Sequence, residues 1–190
     1  MPYVFTGSVL TPRLELRAFR QDDLAALCAF EGRPDVMRYL YWEDPSAQAV
    51  RERLQRRIAS DRLEAEGDTL MLAVVRRDTG VLIGHVMLHW VSQTHQQGEL
   101  GFVFDPDHQG QGYATEACLP LLAIAFGELG LHRVRCHADA RNVASIALQR
   151  RLGMRQESHL VQNEFVKGEW TDEVEYAVLA DEWAASHPQR

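Results

Sequence analysis

Two glycines in the stretch FDPDHQGQGYATEA, from Phe104 to Ala117, are placed where they could hold a phosphate group. Gly110 and Gly112 follow an apolar run that is typical of a β-strand, and they precede a run with helical spacing. Where a strand, a glycine loop and a helix follow one another, backbone N–H groups at the helix N-terminus can donate to phosphate oxygens. A glycine pair alone is a weak signal, because tight turns have the same composition.

Two common phosphate-binding loops do not fit this stretch. A Walker A loop requires Lys-Ser or Lys-Thr after its last glycine, whereas Tyr113 and Ala114 follow here. The dinucleotide fingerprint requires three glycines within a parallel βαβ unit. Ala114 could replace one glycine, but the neighbouring strands are joined as hairpins. The loop therefore argues against an NTPase and against a dinucleotide-binding domain.

The remaining pattern, Gln109-x-x-Gly112-x-Ala114, resembles the Q/R-x-x-G-x-G/A signature of the GCN5-related N-acetyltransferases, the GNAT superfamily. Three further segments are similar to its RimJ/RimL-like branch: TPRLELRAFRQDDL near the start, NVASIALQRRLGM, and FVKGEWTDEVEYAVLADEW near the end. Four segments in the right order are far more specific than the loop alone, and the resemblance covers nearly the whole chain. It implies one acetyltransferase domain over residues 1–190.

The resemblance also implies that acetyl-CoA is the co-substrate and that the glycine loop binds its pyrophosphate. In this family the strand before the loop splays from the next strand, and the pantetheine arm enters that gap. The N–H of Val103 or Phe104 would polarise the thioester carbonyl as an oxyanion donor. Arg141 could assist with the phosphates or be solvated. The residues assigned to coenzyme A are Phe102, Val103, Phe104, Gln109, Gly110, Gln111, Gly112, Tyr113, Ala114, Thr115, Asn142 and Ser145.

Acetyl transfer to an amine requires a base, because most amines are protonated at neutral pH, and an acid for the leaving thiolate. Many superfamily members carry a tyrosine where Gln149 stands here, so that mechanism is excluded at this site. By resemblance, Ser145 is the predicted acid and Glu164 the predicted base. Glu99, on the strand beside the thioester, and then His85 are the alternatives for the base.

Other combinations of polar residues are assigned no chemistry. His85 and His89 share one strand face, but a metal site would need a third ligand, so none is predicted. The set Ser145, His137 and Asp139 contains the residue types of a hydrolase, yet no G-x-S-x-G elbow exists. By resemblance, Tyr41 and Trp42 are candidates for the acceptor pocket, and Asp172 and Tyr176 are structural or on the acceptor side.

Composition narrows the classes of partner. The chain has 190 residues and a net charge of −7, which argues against a nucleic-acid binder and is compatible with a cationic substrate. No secretory signal or membrane-spanning run is visible, and the three widely spaced cysteines suit reduced thiols. A cytoplasmic protein is therefore expected, without a membrane partner, and the family's frequent dimers make a homodimer an open alternative.

The order of elements predicts how these residues are positioned. Strand and helix patterns follow one another as β-α-α-β-β-β-α-β-α-β-β. This order predicts an α+β fold with a mixed, mostly antiparallel sheet of about seven strands and helices on both faces. The second helix is expected over residues 45–66 with Ser46 as its N-cap, and the last over 142–152 with Asn142 as its cap. Pro120 predicts a kink or an early break in the helix that follows the glycine loop.

These features predict an acetyl-CoA-dependent N-acetyltransferase that works by direct attack in a ternary complex. The acceptor is open between protein N-terminal amines, of the ribosomal-protein type, and small amines such as polyamines, amino acids or aminoglycosides. A non-catalytic acyl-CoA-binding sensor or scaffold is the alternative, because the usual tyrosine is missing.

Overall fold

The computed structural model describes residues 2–41 and 44–187, so the predicted pocket residue Trp42 lies outside the described residues. The strands are β1 (Tyr3–Val4), β2 (Ser8–Leu10), β3 (Leu14–Arg17), β4 (Arg62–Leu63), β5 (Thr69–Arg76), β6 (Leu82–Ser92), β7 (Gln97–Phe104), β8 (Arg133–Asp139), β9 (Arg155–Val166) and β10 (Glu169–Leu179). The helices are α1 (Leu24–Glu31), α2 (Pro34–Met37), α3 (Ala47–Ile58), α4 (Tyr113–Ala123), α5 (Val143–Arg151) and α6 (Ala180–Ser186).

Eight of these strands form one sheet in the order β2-β3-β5-β6-β7-β8-β10-β9, and β1 pairs separately with β4. Every neighbouring pair in the large sheet is antiparallel except β7 and β8, which are parallel. The prediction of a mixed, mostly antiparallel sheet is confirmed. The strand beyond the predicted seven is β2, which has only three residues and lies at the edge.

The parallel pair β7–β8 separates soon after it begins. Its ladder joins Gln97 to Arg133 and ends where Glu99 pairs with Arg135. Beyond that point β7 continues to Phe104 and β8 to Asp139 without pairing to each other. A wedge-shaped gap therefore opens in the middle of the sheet, as the splayed pair was predicted to do.

Helices cover both faces of the sheet, because alternate residues of a strand enter different cores. Leu72 and Val74 of β5 pack in the cluster that includes residues of α4 and α5. Ala73 and Val75 pack in a second cluster with residues of α1 and α3. The helix that follows the glycine loop thus lies on one side of the sheet and the N-terminal helices on the other.

The second predicted helix is shorter than expected, which corrects the range 45–66. Helix α3 ends at Ile58, although Ser46 caps its start by accepting a hydrogen bond from the Ala49 N–H at 3.2 Å. The chain after α3 pairs instead with the N-terminal segment. The Asp61 backbone carbonyl accepts from the Phe5 N–H, and β4 pairs with β1. Tertiary pairing has overridden the local helical pattern here.

Pro120 does not end its helix early. Helix α4 continues through Pro120 to Ala123, and a π-helical turn follows at Ile124–Glu128. Cys118 and Leu121, within two residues of Pro120, are fully buried in the core, and this packing stabilises the helix despite the missing N–H. No helix within the described ranges is long and apolar enough to cross a membrane.

Candidate active site

The loop between β7 and α4 presents backbone donors at a helix N-terminus. Gly110 and Gly112 have φ angles of +74° and +82°, in the left-handed region that favours glycine, and Gly112 is the N-cap of α4. The first N–H groups of a helix have no partner inside it. Within the described chain, the N–H groups of residues 111–115 have no acceptor. This arrangement fits an anionic group such as a pyrophosphate.

Cationic side chains lie beside the same loop. Arg13 stacks over the Tyr113 ring at 4.4 Å, and Arg76 lies 5.7 Å from that ring. Arg151 of α5 donates to the Thr115 hydroxyl at 3.4 Å. Arg141 was the arginine predicted either to assist with the phosphates or to be solvated. It is instead paired with Asp139 and Glu169.

A cleft of about 890 Å³ begins at this loop and passes through the gap between β7 and β8. Residues from both faces of the two strands line it, including Phe102 and Cys136 on one face and Glu99 and His137 on the other. The predicted residues that line it are Glu99, Phe102, Val103, Phe104, Gln109, Gly110, Gly112, Tyr113, Ala114, Thr115, Asn142 and Ser145. Of the predicted set, Gln111 and Glu164 are not part of the lining.

Strand alternation distinguishes the two predicted oxyanion donors. The Asp105 N–H donates to the Ile83 carbonyl of the neighbouring strand, at the end of the antiparallel β6–β7 ladder. Because N–H groups alternate along a strand, Val103 directs its N–H toward β6. The N–H of Phe104 faces the opposite way, toward the gap. Phe104 is therefore the residue whose N–H can reach a carbonyl held in the cleft.

Helix α5 brings the predicted acid to the cleft. Asn142 caps the helix by accepting from the Ser145 N–H at 3.1 Å, as predicted. The buried Gln149 amide donates to Ser145 Oγ at 3.1 Å. Since the serine oxygen accepts this bond, its own hydrogen remains available to donate into the cleft. Gln149 thus orients Ser145.

The base candidates occupy three different environments. His85 is buried, with Nδ1 3.9 Å from the Glu31 carboxylate, and burial and then Arg57 and Arg53 hold its pKa well below its usual range. Glu164 is half-buried on β9, where its carboxylate accepts from the Asn163 amide at 3.2 Å. No observation tests its role as the base, and that role stays a prediction.

Glu99 contacts a histidine whose role the sequence did not predict. His137 Nε2 lies 3.5 Å from Glu99, and its Nδ1 lies 3.3 Å from Glu173. The contact with His137 lowers the pKa of Glu99, and the contact with Glu99 raises the pKa of His137. In the sequence, His137 was considered only within the rejected hydrolase set and was otherwise distinguished by its place in the strand pattern, where it alternates with Cys136 and Ala138. The signal that could have found it is that alternation beside a predicted gap.

The face of the cleft opposite the loop has the character of an acceptor pocket. Tyr41, as predicted, lines it, and its hydroxyl donates to Glu173 at 2.8 Å. Apolar side chains from α2, the segment after it, β5 and β6 surround this half, namely Val36, Leu40, Met71 and Met87. Asp139 adds a carboxylate to this half, and it is paired with Arg141.

Two further predicted residues have structural contacts. Asp172 accepts from the Gln162 N–H at 2.9 Å and bonds His159 at 2.8 Å, both within the β9–β10 hairpin. Tyr176 is buried and its hydroxyl donates to Gln156 at 3.0 Å. Among the residues that the structure describes, no cluster of three metal-binding side chains exists.

Residues 13–155 match the family model of the acetyltransferase (GNAT) domain. The uncharacterized N-acetyltransferase YnaD of Bacillus subtilis is 31% identical over 176 residues, which are 92% of this chain and 98% of that protein. A GNAT-family acetyltransferase structure from Bacillus anthracis is 27% identical, with a TM-score of 0.81 over 92% of this chain and 99% of that one. The spermidine N-acetyltransferase of Vibrio cholerae, solved with CoA and spermine, is 25% identical, with a TM-score of 0.75 over 91% and 99%.

Proposed function

This chain belongs to the GNAT family of acetyltransferases and is an N-acetyltransferase, and we propose that it acetylates a polyamine. In this proposal acetyl-CoA is the donor, and a primary amine of the small polycation is the acceptor. We place it in the RimJ/RimL-like branch, on the segments quoted above. The single observation that carries the proposal is the cleft that joins the glycine loop, through the splayed strands, to a pocket with apolar walls and carboxylates.

The glycine loop supports binding of the coenzyme. The donors of residues 111–115 would hold the pyrophosphate, and the apolar side chains of Phe102 and Cys136 would contact the pantetheine arm. Bound acetyl-CoA supplies the thioester. The N–H of Phe104 would then stabilise the developing oxyanion, and Ser145 would protonate the departing thiolate.

The charge of the acceptor half supports a cationic acceptor. Glu99 and Asp139 line this half of the cleft, and Glu173 lies 3.3 Å from His137 Nδ1. Carboxylates in a concave, partly buried site attract cations more strongly than they do in bulk water. The solved relative from Vibrio cholerae holds spermine, an amine of this class. Peptide N-terminal amines are the competing acceptor class.

The experiment is thiol release from acetyl-CoA by the purified protein with two acceptor pools. One pool contains polyamines, amino acids and aminoglycosides, and the other contains short peptides with free N-termini. We expect release with polyamines and none with peptides. Release with peptides alone would contradict the proposed acceptor, and binding of acetyl-CoA without release in either pool would favour a non-catalytic acyl-CoA-binding module.

A cytoplasmic location is part of the proposal. Cys28, Cys118 and Cys136 are all free thiols, and burial raises the pKa of the latter two above their usual range. Thiols of this kind suit a reducing compartment.

A further inference from the structure

His137 occupies the point in the sheet where the gap between β7 and β8 begins. The parallel ladder ends at the pair Glu99–Arg135, and His137 is the next residue of β8 on the same face. Its neighbours Cys136 and Ala138 direct their side chains into the core with α4. The imidazole therefore projects to the opposite face, into the acceptor half of the cleft, and 23% of the side chain is exposed.

Carboxylates from two other strands surround the imidazole. Glu99 of β7 lies 3.5 Å from Nε2, and Glu175 of β10 lies 3.6 Å from the same nitrogen. Glu173 of β10 lies 3.3 Å from Nδ1, and Tyr41 donates to this carboxylate from the far side. The cation on the same strand face is Arg135, which is 3.2 Å from Glu99 and 3.6 Å from Glu175.

The two nitrogens of His137 have different surroundings, which assigns them different tasks. Nδ1 is a buried atom that makes no hydrogen bond to the described residues, and Glu173, with 11% of its side chain exposed, is the carboxylate 3.3 Å from it. A neutral imidazole that carries its hydrogen on Nδ1 would direct it at Glu173 and keep Nε2 as an acceptor. Nε2 lies on the side of Glu99, which itself lines the cleft.

We propose that Nε2 of His137 accepts the proton from the acceptor ammonium group, with Glu173 as the positioning residue whose charge, 3.3 Å from Nδ1, favours a hydrogen on that nitrogen. This inference rests on the proposed function, because it concerns the same cleft. Glu99, predicted as an alternative base, then acts by stabilising the protonated imidazole.

The step balances as follows. The ammonium nitrogen gives one proton to His137 Nε2 and becomes a neutral amine. Its lone pair forms a C–N bond to the thioester carbon, and the carbon–sulfur bond breaks as the oxyanion near Phe104 N–H collapses. The thiolate takes a proton from Ser145, which regains one from the nitrogen of the new amide. His137 finally releases its proton to solvent.

The other base candidates fit this task less well. His85 is buried and its pKa is lowered well below its usual range, so it is a weaker base than His137. The pKa of Glu99 is lowered by His137, so this carboxylate accepts protons poorly at neutral pH. Glu164 is not part of the cleft lining. His137, whose pKa is raised by Glu99 despite partial burial, is the stronger base in the same cleft.

The pH dependence follows from the protonation of His137. Because only the neutral imidazole can accept a proton, kcat/KM should rise with pH until the His137 pKa is passed. Glu99 and Glu173 raise that pKa, and Arg135 opposes them. Replacing either glutamate by glutamine removes a negative charge, lowers the pKa of His137, and should shift this rise to lower pH.

The experiment compares variants in the thiol-release assay across pH, with an acceptor that wild type uses. For His137→Gln we expect kcat/KM to fall about 100-fold, the pH-dependent rise to vanish, and the affinity for CoA to stay within about twofold. Glu173→Gln should move the rise to lower pH, and Glu173→Asp should restore it in part. His159→Gln is the matched control, since this histidine is also paired with a carboxylate, Asp172, but lies on β9 away from the cleft.

Three results would overturn the assignment of His137 as the base. They also show whether the proposed acetyltransferase function fails together with it. If wild type turns over and His137→Gln keeps its rate and pH profile, His137 is not the base while the proposed function stands. If Glu164→Gln or His85→Gln loses the pH-dependent rise and His137→Gln does not, the base is that other residue. If wild type turns over with no amine, the proposed function fails and this inference fails with it. An NMR titration adds an independent result: a His137 pKa below the ordinary value of about 6.5 would contradict the arrangement of charges.

Discussion

Arg13 holds Glu116 against the start of the helix that follows the glycine loop. The Arg13 Nε donates to one carboxylate oxygen of Glu116 at 2.6 Å, and the Arg13 backbone N–H donates to the other at 2.8 Å. The same guanidinium donates to the Gln111 carbonyl at 2.9 Å. Burial would raise the pKa of Glu116, but the Thr11 hydroxyl and Arg13 lower it overall. The residue just before β3 thereby fixes the loop and offsets a negative charge beside its backbone donors.

Arg13→Ala is therefore expected to weaken coenzyme A binding. Without the guanidinium, the Gln111 carbonyl loses its donor and the charge of Glu116 is less compensated near the pyrophosphate site. We expect the KM for acetyl-CoA to rise about tenfold, with kcat changed far less. Steady-state kinetics with varied acetyl-CoA provide the measurement. Arg62→Ala is the control, because the Arg62 side chain is 49% exposed against 47% for Arg13 and pairs with its neighbour Asp61, away from the glycine loop. An equal KM in both variants would contradict this role for Arg13.

A methyl group at Gly112 should disturb the loop more than the same change elsewhere. Gly112→Ala and Gly130→Ala both place alanine at a positive φ, +82° and +62°, which costs about 1–2 kcal/mol of stability in each case. Only Gly112 caps α4 beside the unpartnered donors. We therefore expect similar losses in the free energy of unfolding but a weaker affinity for CoA in Gly112→Ala alone, as measured by calorimetry. Equal CoA affinities would count against the glycine loop as the phosphate site.

Local signals were sufficient for the loop and for the elements that carry it. The alternating residues of β8 are alternately buried, as the sequence pattern predicts, and Asn142 caps α5 because its side chain competes for a nearby N–H. By contrast, α2 has only four residues, too few to show helical periodicity, and β2 has three. The end of α3 depends on strands that are far away in sequence.

The environment of His137 could not be predicted, because it depends on the order of strands in the sheet. His137 pairs with Glu175 of β10, and Glu99 approaches from β7 on the other side of β8. Glu99 precedes His137 by 38 positions along the chain, and Glu175 follows it by 38. Alternation alone places His137 opposite Cys136, but only the tertiary structure shows which face borders the cleft.

A buried carboxylate under the acceptor half should contribute strongly to stability. Glu31 is fully buried and pairs with Arg53 and Arg57, and Arg57 lines the cleft. Glu31→Gln leaves both guanidinium groups buried with less compensation, so the free energy of unfolding should fall by about 3 kcal/mol. Urea denaturation followed by circular dichroism measures this.

Glu52→Gln is the control for that change. Glu52 lies on the exposed side of α3 and accepts from Gln48 at 2.7 Å, so we expect a change within about 0.5 kcal/mol. If the two variants have the same free energy of unfolding, Glu31 with its two arginines contributes no more to stability than the exposed pair of Gln48 and Glu52.

Lys167, the only lysine of the chain, connects the β9–β10 turn to the wall of the acceptor half. Its ammonium donates to the Leu40 carbonyl at 2.8 Å and to the Met37 carbonyl. Leu40 lines the cleft, so loss of these bonds should loosen the wall that contacts the acceptor without touching the coenzyme side. In Lys167→Met, which keeps the apolar stem, we expect the acceptor KM to rise about fivefold while the KM for acetyl-CoA stays unchanged. Arg155→Met, on the same hairpin but bonded to Glu182, should change neither constant. A contact that acts only through α2 would change the acceptor KM alone. If the KM for acetyl-CoA rises instead, Lys167 supports the whole cleft.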